Sequence, residues 1–229
     1  MSSCLAVMCK QPQRGKVKTR IAATLGDDRA VEMYRCALAD TLSLASSIDH
    51  VTHVLSYAPP TRDGQSYFEQ LASSFALIPQ PGATLGERIS GTLALLLKTY
   101  SPVVLIGSDS PDLPVELIKS AFEALHGSAD VVLGPATDGG YYLIGLRAMH
   151  PSLFERIAWS TVVVAKQTYE RAAEAGLQVL NLPYWHDLDT VVDLNALVAP
   201  GAPLTRAFVA TLSAKEVNEN ESSGCVECW

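Results

Sequence analysis

The sequence predicts an α/β protein with a mostly parallel central sheet and helices on both faces, three layers in all. Three observations predict it. Short apolar runs rich in β-formers alternate with segments of helical periodicity along the 229 residues, the pattern of βαβ units. One run, PVVLIG (Pro102 to Gly107), is almost wholly apolar or β-branched, as suits a central parallel strand buried on both faces. Hydrophobic residues make up 48% of the chain and charged residues 18%. That is enough apolar material for one sizeable core and too little charge for a disordered chain.

The elements follow in order. LAVM (Leu5 to Met8) reads as a buried first strand. From Arg29 to Ser47, Val31, Tyr34, Ala37, Leu38, Leu42 and Ala45 recur at helical spacing. VTHVLSYA (Val51 to Ala58) is the next strand, ended by Pro59-Pro60. A helix over Ser66 to Ser73 and a strand over Phe75 to Pro79 come next. A long helix from Leu85 to Tyr100 buries Ile89, Leu93 and Leu96 or Leu97. After the central strand come a helix (Val115 to Leu125), a strand (Asp130 to Ala136), a tight Asp-Gly-Gly turn and another strand (Gly140 to Leu146). Thr161 to Ala175 reads as a helix with Thr161 as a candidate N-cap. Gln178 to Leu182 reads as a strand, and Thr190 to Val198 and Thr205 to Leu212 as terminal helices. Residues 1–214 form one domain. The polar stretch 215–229 reads as a flexible tail that carries Cys225, Cys228 and the terminal Trp229.

The formal net charge of −7 argues against a nucleic-acid or membrane-surface role, which needs a broad positive field. No apolar stretch reaches the roughly 20 residues that span a bilayer, and the start lacks the pattern of a secretory signal. A cytoplasmic location is expected. Cys4, Cys9 and Cys36 read as reduced, partly buried thiols.

Ligands of open α/β sheets sit beyond the carboxyl ends of the strands, so the loops leaving strands carry the chemistry. KQPQRGKVKTRI (residues 10–21) leaves the first strand with five cations: Lys10, Arg14, Lys16, Lys18 and Arg20. Gly15 shapes its backbone, and Thr19 can cap the short helix that follows. Backbone N–H groups with nearby Lys and Arg suit phosphate oxygens. The spacing is neither a Walker loop nor a Rossmann fingerprint. GSDSPDLP (Gly107 to Pro114) leaves the central strand with Asp109 and Asp112 three apart. A carboxylate there suits Mg²⁺ or Mn²⁺ bridging to phosphates. Asp109 is the candidate ligand, while Asp112 or Ser110 can equally cap the next helix. GPATDGGYYLIG (Gly134 to Gly145) places Asp138 before two glycines and sends Tyr141 and Tyr142 to opposite faces. In YWHDLDT (Tyr184 to Thr190), Asp187, Asp189 or His186 could join the metal, with Asp189 favoured. The same two carboxylates could instead cap a helix.

These segments, with AWST and HDLDTVVDL, occur in an order that resembles a bacterial family of glycosyltransferase-like proteins of the arsenosugar-biosynthesis type. That family is related to the phospholactate guanylyltransferases and, more distantly, to the molybdenum-cofactor guanylyltransferases. The resemblance runs from about residue 4 to about residue 198. It implies a GT-A fold, the nucleotide-diphospho-sugar transferase architecture, with a divalent metal near the end of the central strand. It implies Lys16, Lys18 and Arg20 on nucleotide phosphates, joined by Lys10, Gly15 and Thr19. Asp109 and Asp189 fall at the metal. Asp138 and Lys18 are candidate catalytic groups, and Ser108, Gly139, Gly140 and Tyr141 candidate donor or acceptor contacts. The Cys-x-x-Cys tail departs from the family and suits a soft metal, a redox pair or no role at all.

The expected partners are a nucleotide or nucleotide-sugar and a small acceptor. Glycosyl transfer from a nucleotide-sugar is the first reading and nucleotidyl transfer from an NTP, with pyrophosphate release, the second. A non-catalytic nucleotide sensor is the third, and the carboxylate at Asp109 weighs against it.

Overall fold

The computed structural model describes residues 2–197 and 200–213. Its centre is a seven-stranded sheet of order β3-β2-β1-β4-β6-β5-β7. The strands are β1 (Ser3–Lys10), β2 (Val51–Ala58), β3 (Ala76–Pro79), β4 (Val103–Ile106), β5 (Val131–Pro135), β6 (Tyr141–Leu146) and β7 (Val179–Asn181). All pairings are parallel except those of β6, which runs antiparallel to both β4 and β5. The exception follows from the Asp-Gly-Gly turn. A connection this short between β5 and β6 can only make a hairpin, because a parallel return needs a crossover of a dozen residues or more.

Helices α1 (Thr19–Leu25), α2 (Asp27–Ser46), α3 (Arg62–Leu71), α4 (Leu85–Leu96), α5 (Val115–His126), α6 (Val164–Glu174) and α7 (Pro203–Val209) complete the chain. On one face of the sheet, Leu38 and Leu42 of α2, Phe68 of α3 and Ile118 of α5 pack on Leu5, Val7, Val104 and Leu143. On the other, Ile89 and Leu93 of α4 and Ala172 of α6 pack on Ala6, Val103, Leu105 and Ile144. The expected three layers are therefore present. Tyr142 joins the first cluster and Tyr141 packs on the second, so the two tyrosines do point to opposite faces. A third cluster joins Ile21 of α1, Met33 and Ala37 of α2 and Phe208 of α7 to Leu188, Val191 and Leu194. It fixes the loop that carries Asp189.

Several expected boundaries move. The long helix ends at Leu96 rather than Tyr100, and Leu96 is the buried member of the Leu96/Leu97 pair. Its start is held by a Thr84–Glu87 capping box. The helix expected from Ser66 begins earlier, at Arg62, because the Thr61 hydroxyl caps it through the Gly64 N–H. The helix expected from Thr161 begins at Val164 without a side-chain cap. Thr161 instead donates to the Ala158 carbonyl at 2.6 Å, shaping the loop before the helix. The helix expected over Thr190 to Val198 is a single 3-10 turn, Asp193–Ala196. Asp193 Oδ2 accepts from the Asp189 and Thr190 N–H groups and the Thr190 hydroxyl, which closes a tight turn there. Val198 and the tail with Cys225, Cys228 and Trp229 lie outside the described residues. Cys4, Cys9 and Cys36 are free thiols.

Candidate functional site

The carboxyl ends of β1 and β4, the β5–β6 turn and the loop after β7 surround a cleft of about 920 Å³. Its position follows from the topology, since parallel strands β1 and β4 deliver their following loops to the same edge of the sheet. The β1 loop brings Lys10, Lys18, Thr19 and Arg20 to the cleft. The β4 loop brings Ser108 and Asp109, the β5–β6 turn brings Asp138, Gly140 and Tyr141, and the late loop brings Asp187 and Asp189.

The centre of the site is an ion triad. Lys18 Nζ lies 2.5 Å from Asp109 Oδ1 and 3.1 Å from Asp189 Oδ1. The lysine side chain is only 5% exposed, while the aspartates are 46% and 40% exposed on the cleft side. Burial alone would pull the Lys18 pKa down. The charges of Asp109 and Asp189 and their hydrogen bonds outweigh it, so the net shift is upward and the ammonium is kept. Lys18 has φ 45° and ψ 46° at the N-terminal boundary of α1, where no side-chain cap is made. A non-glycine residue in this left-handed region carries strain. The helix starts at Thr19, so the expected Thr19 cap is replaced by this turn.

The late loop is tied to the β4 loop at several points. The Leu188 N–H donates to the Asp109 carbonyl at 2.8 Å. Ser110 Oγ donates to Asp187 Oδ1 at 2.6 Å. Asp112, whose side chain is fully buried, pairs with His186 Nε2 at 3.1 Å and accepts from Trp185 Nε1 at 3.3 Å. Asp112 and His186 therefore lock the two loops together. Neither Asp112 nor Ser110 caps α5, whose N-cap position is Pro114. Nor do Asp187 and Asp189 cap the late turn, a role that falls to Asp193.

Asp187 is the group whose weight the sequence understated. Burial pushes its pKa up to about 7, and the nearby charges of Asp109, Asp138 and Asp189 add to the rise against the Ser110 hydrogen bond. Asp109, Asp138, Asp187 and Asp189 thus form one electrostatic group. Its signal in the sequence was the HDLD spacing, which left Asp187 and Asp189 as alternatives. Arg88 of α4 and Trp159 also line the cleft; AWST carried Trp159 only as part of a motif with no role attached, and nothing around Arg88 marked it.

The other expected residues differ in burial and partners. Lys16 is exposed and does not line the cleft, and its N–H closes a turn on the Gln13 carbonyl. Gly15 also stands clear of the cleft. It supplies φ +67°, with nothing within 4 Å of where a Cβ would stand. Arg14 pairs with Asp28 on the surface, 3.1 Å apart. Ser108 is buried and pairs with the Tyr34 hydroxyl at 2.9 Å, which also accepts from the Lys10 N–H. Asp138 is exposed and accepts from the Gly140 N–H through Oδ1 at 2.8 Å. Gly139, at φ +90°, packs so closely that a Cβ would meet the Val162 carbonyl oxygen at 2.0 Å. It seats the 156–163 loop and does not line the cleft. Tyr141 lines the cleft and presents its ring to Trp159, edge to face, and its hydroxyl is buried with no hydrogen-bond partner among the described residues.

The residues suit a hard divalent ion by donor chemistry. Asp109 and Asp189 already direct one oxygen each at a single positive nitrogen, and both stay open to the cleft. Among the described residues, no three His, Cys, Asp or Glu side chains gather closely enough to hold an ion unaided. Mg²⁺ sites commonly take one or two protein carboxylates and complete their shell with water and substrate phosphates.

Comparison with known proteins agrees with the fold. The chain resembles a candidate nucleotide-diphospho-sugar transferase from Desulfovibrio desulfuricans G20. The two are 36% identical, with a TM-score of 0.84 over 92% of this chain and 98% of that one. More distant structures share the fold alone. The bifunctional IspDF of Campylobacter jejuni is 13% identical, with a TM-score of 0.59 over 86% of this chain and 54% of that one. A cytidylyltransferase from Leptospira borgpetersenii is 12% identical, with a TM-score of 0.51 over 93% of this chain and 98% of that one. No curated protein matches the sequence. Residues 41–161 match the family described as an uncharacterized protein conserved in bacteria (DUF2064), and the chain belongs to that family.

Proposed function

We propose that the protein is a metal-dependent transferase that moves a sugar from a nucleotide-sugar to the hydroxyl of a small acceptor. The observation that carries this reading is the convergence of Lys18 with Asp109 and Asp189 at the sheet's carboxyl edge. A cation that can face phosphates and two carboxylates that can face an ion stand side by side there. The 36% identical candidate nucleotide-diphospho-sugar transferase supports the same class.

Lys18 and Arg20 would bind the diphosphate oxygens, with Lys10 and Arg88 adding positive charge on the same cleft. Asp109 and Asp189 would hold Mg²⁺ or Mn²⁺, which supplies charge neutralisation on the departing nucleoside diphosphate. Asp138 keeps its Oδ2 clear of the Gly140 N–H bond and can take the proton of an acceptor hydroxyl. Asp187, with its pKa near 7, is a second acceptor of that proton. The buried Asp112–His186 pair holds both loops in register and touches no substrate.

One observation favours nucleotidyl transfer as the second reading. Lys10, Lys18, Arg20 and Arg88 together line the cleft, more cations than a metal-held diphosphate requires and well suited to a triphosphate. The products separate the two. The enzyme is incubated with Mg²⁺, a panel of nucleotide-sugars or NTPs, and small alcohols and phosphate esters. Release of nucleoside diphosphate supports glycosyl transfer, and release of pyrophosphate supports the second reading. Release of neither from any donor contradicts both.

A further inference from the structure

The feature this functional reading leaves unexplained is that Lys18 stands where the ion should. Its ammonium lies 2.5 Å and 3.1 Å from the two oxygens assigned to the metal. Mg²⁺ sits about 2.1 Å from its oxygen ligands, so ion and ammonium compete for the same gap between Asp109 and Asp189. Among the described residues, no other cation holds that pair as closely. Arg20 approaches Asp189 at only 3.9 Å and is 70% exposed. Asp138 belongs to the same electrostatic group and adds negative charge nearby.

We propose that Lys18 is a tethered stand-in cation that keeps the Asp109–Asp189 pair closed to divalent ions until substrate phosphates draw the ammonium away. Metal and nucleotide then load together. This rests on the reading of Asp109 and Asp189 as metal ligands. It adds that the free protein binds the ion poorly by design.

Two features of the chain make the exchange possible. The side chain is buried on the protein side of the pair, while both carboxylates stay open to the cleft. Val17 and Ile21 anchor the segment on either side of Lys18, so a swing of the side chain does not require the loop to unfold. A phosphate bearing two negative charges or more competes directly with the carboxylates for the ammonium. Each ligand then raises the affinity for the other by the same factor.

The test is Mn²⁺ binding without nucleotide, followed by the electron paramagnetic resonance signal of the free ion. Lys18→Met should bind Mn²⁺ about tenfold more tightly than wild type. Lys18→Arg, which keeps the charge, should stay within about threefold of wild type. Asp109→Asn should bind more weakly. Lys18→Gln replaces Lys18→Met if the apolar tip prevents folding. If Lys18→Met or Lys18→Gln binds no more tightly while Asp109→Asn still weakens binding, the metal site stands and the stand-in role is wrong. If Asp109→Asn binds Mn²⁺ like wild type, the metal assignment itself falls, and the exchange falls with it.

Discussion

Lys18 Nζ sits 3.1 Å from Asp189 Oδ1, joining residues 171 positions apart in the chain. The same ammonium reaches Asp109, so the first, central and last loops of the sheet edge meet on one atom. Asp109→Asn should keep the fold, because the residue is half exposed and Lys18 retains Asp189. Transfer should fall by about 100-fold or more. Circular dichroism and steady-state rates at saturating Mg²⁺ check both halves. A variant with full activity would remove Asp109 from the reaction.

Asp187 makes stability depend on pH. Its native pKa is about 7, against an ordinary value of 3.8, so between these pH values the native state holds a proton that the unfolded state has lost. The stability this group contributes is complete below pH about 4 and is lost as the pH rises to about 7. Asp187→Asn keeps an acceptor for Ser110 and removes the titration. In chelator-treated protein the variant should exceed wild type by about 1–2 kcal/mol at pH 8. The gap should close toward pH 5. Urea unfolding at the two pH values measures it, and equal stability at pH 8 would mean that the carboxylate is already compensated.

The Tyr141 hydroxyl is buried with no hydrogen-bond partner among the described residues, and burial drives the phenol pKa well above its ordinary value. A buried polar group without a partner costs stability. Tyr141→Phe should therefore leave the melting temperature unchanged or raise stability by about 1 kcal/mol. Nucleotide affinity should not change. A loss of affinity in a titration would restore the hydroxyl as a ligand contact.

Two of the three glycines expected at the site, Gly139 and Gly15, should respond differently. Gly139→Ala would push a methyl group into the Val162 carbonyl at φ +90°. It should cost about 3 kcal/mol or more and displace the loop that carries Trp159. Gly15→Ala meets nothing within 4 Å and should cost about 1 kcal/mol through its positive φ alone. Thermal unfolding of the two variants side by side checks the order.

The layers and the strand sequence were legible because apolar periodicity reports burial directly. Val103–Ile106 is buried throughout, as its composition required. Asp109 and Lys18 were legible because each follows a strand at the ligand edge. Other features depend on distant neighbours. Nothing local distinguishes Lys16 from Lys18, yet one is solvated and the other is buried against two carboxylates. The late helix failed because Asp193 gathers the N–H groups of Asp189 and Thr190 into a tight turn. Asp112 read as a ligand or a cap, and only the fold brings Trp185 and His186 to it across more than 70 residues.

The central claim is that Lys18 and the Asp109–Asp189 pair form a nucleotide-polyphosphate site. Calorimetric titration of wild type and Lys18→Ala with nucleotide-sugars and nucleoside mono-, di- and triphosphates, with and without Mg²⁺, tests it most directly. The account predicts that wild type binds at least one nucleotide-sugar or polyphosphate more tightly than the monophosphate, and more tightly still with Mg²⁺. It also predicts that Lys18→Ala loses about tenfold or more of the polyphosphate affinity and little of the monophosphate affinity. Equal losses for all three phosphates, or Mg²⁺-independent binding unaffected by Lys18→Ala, would contradict it.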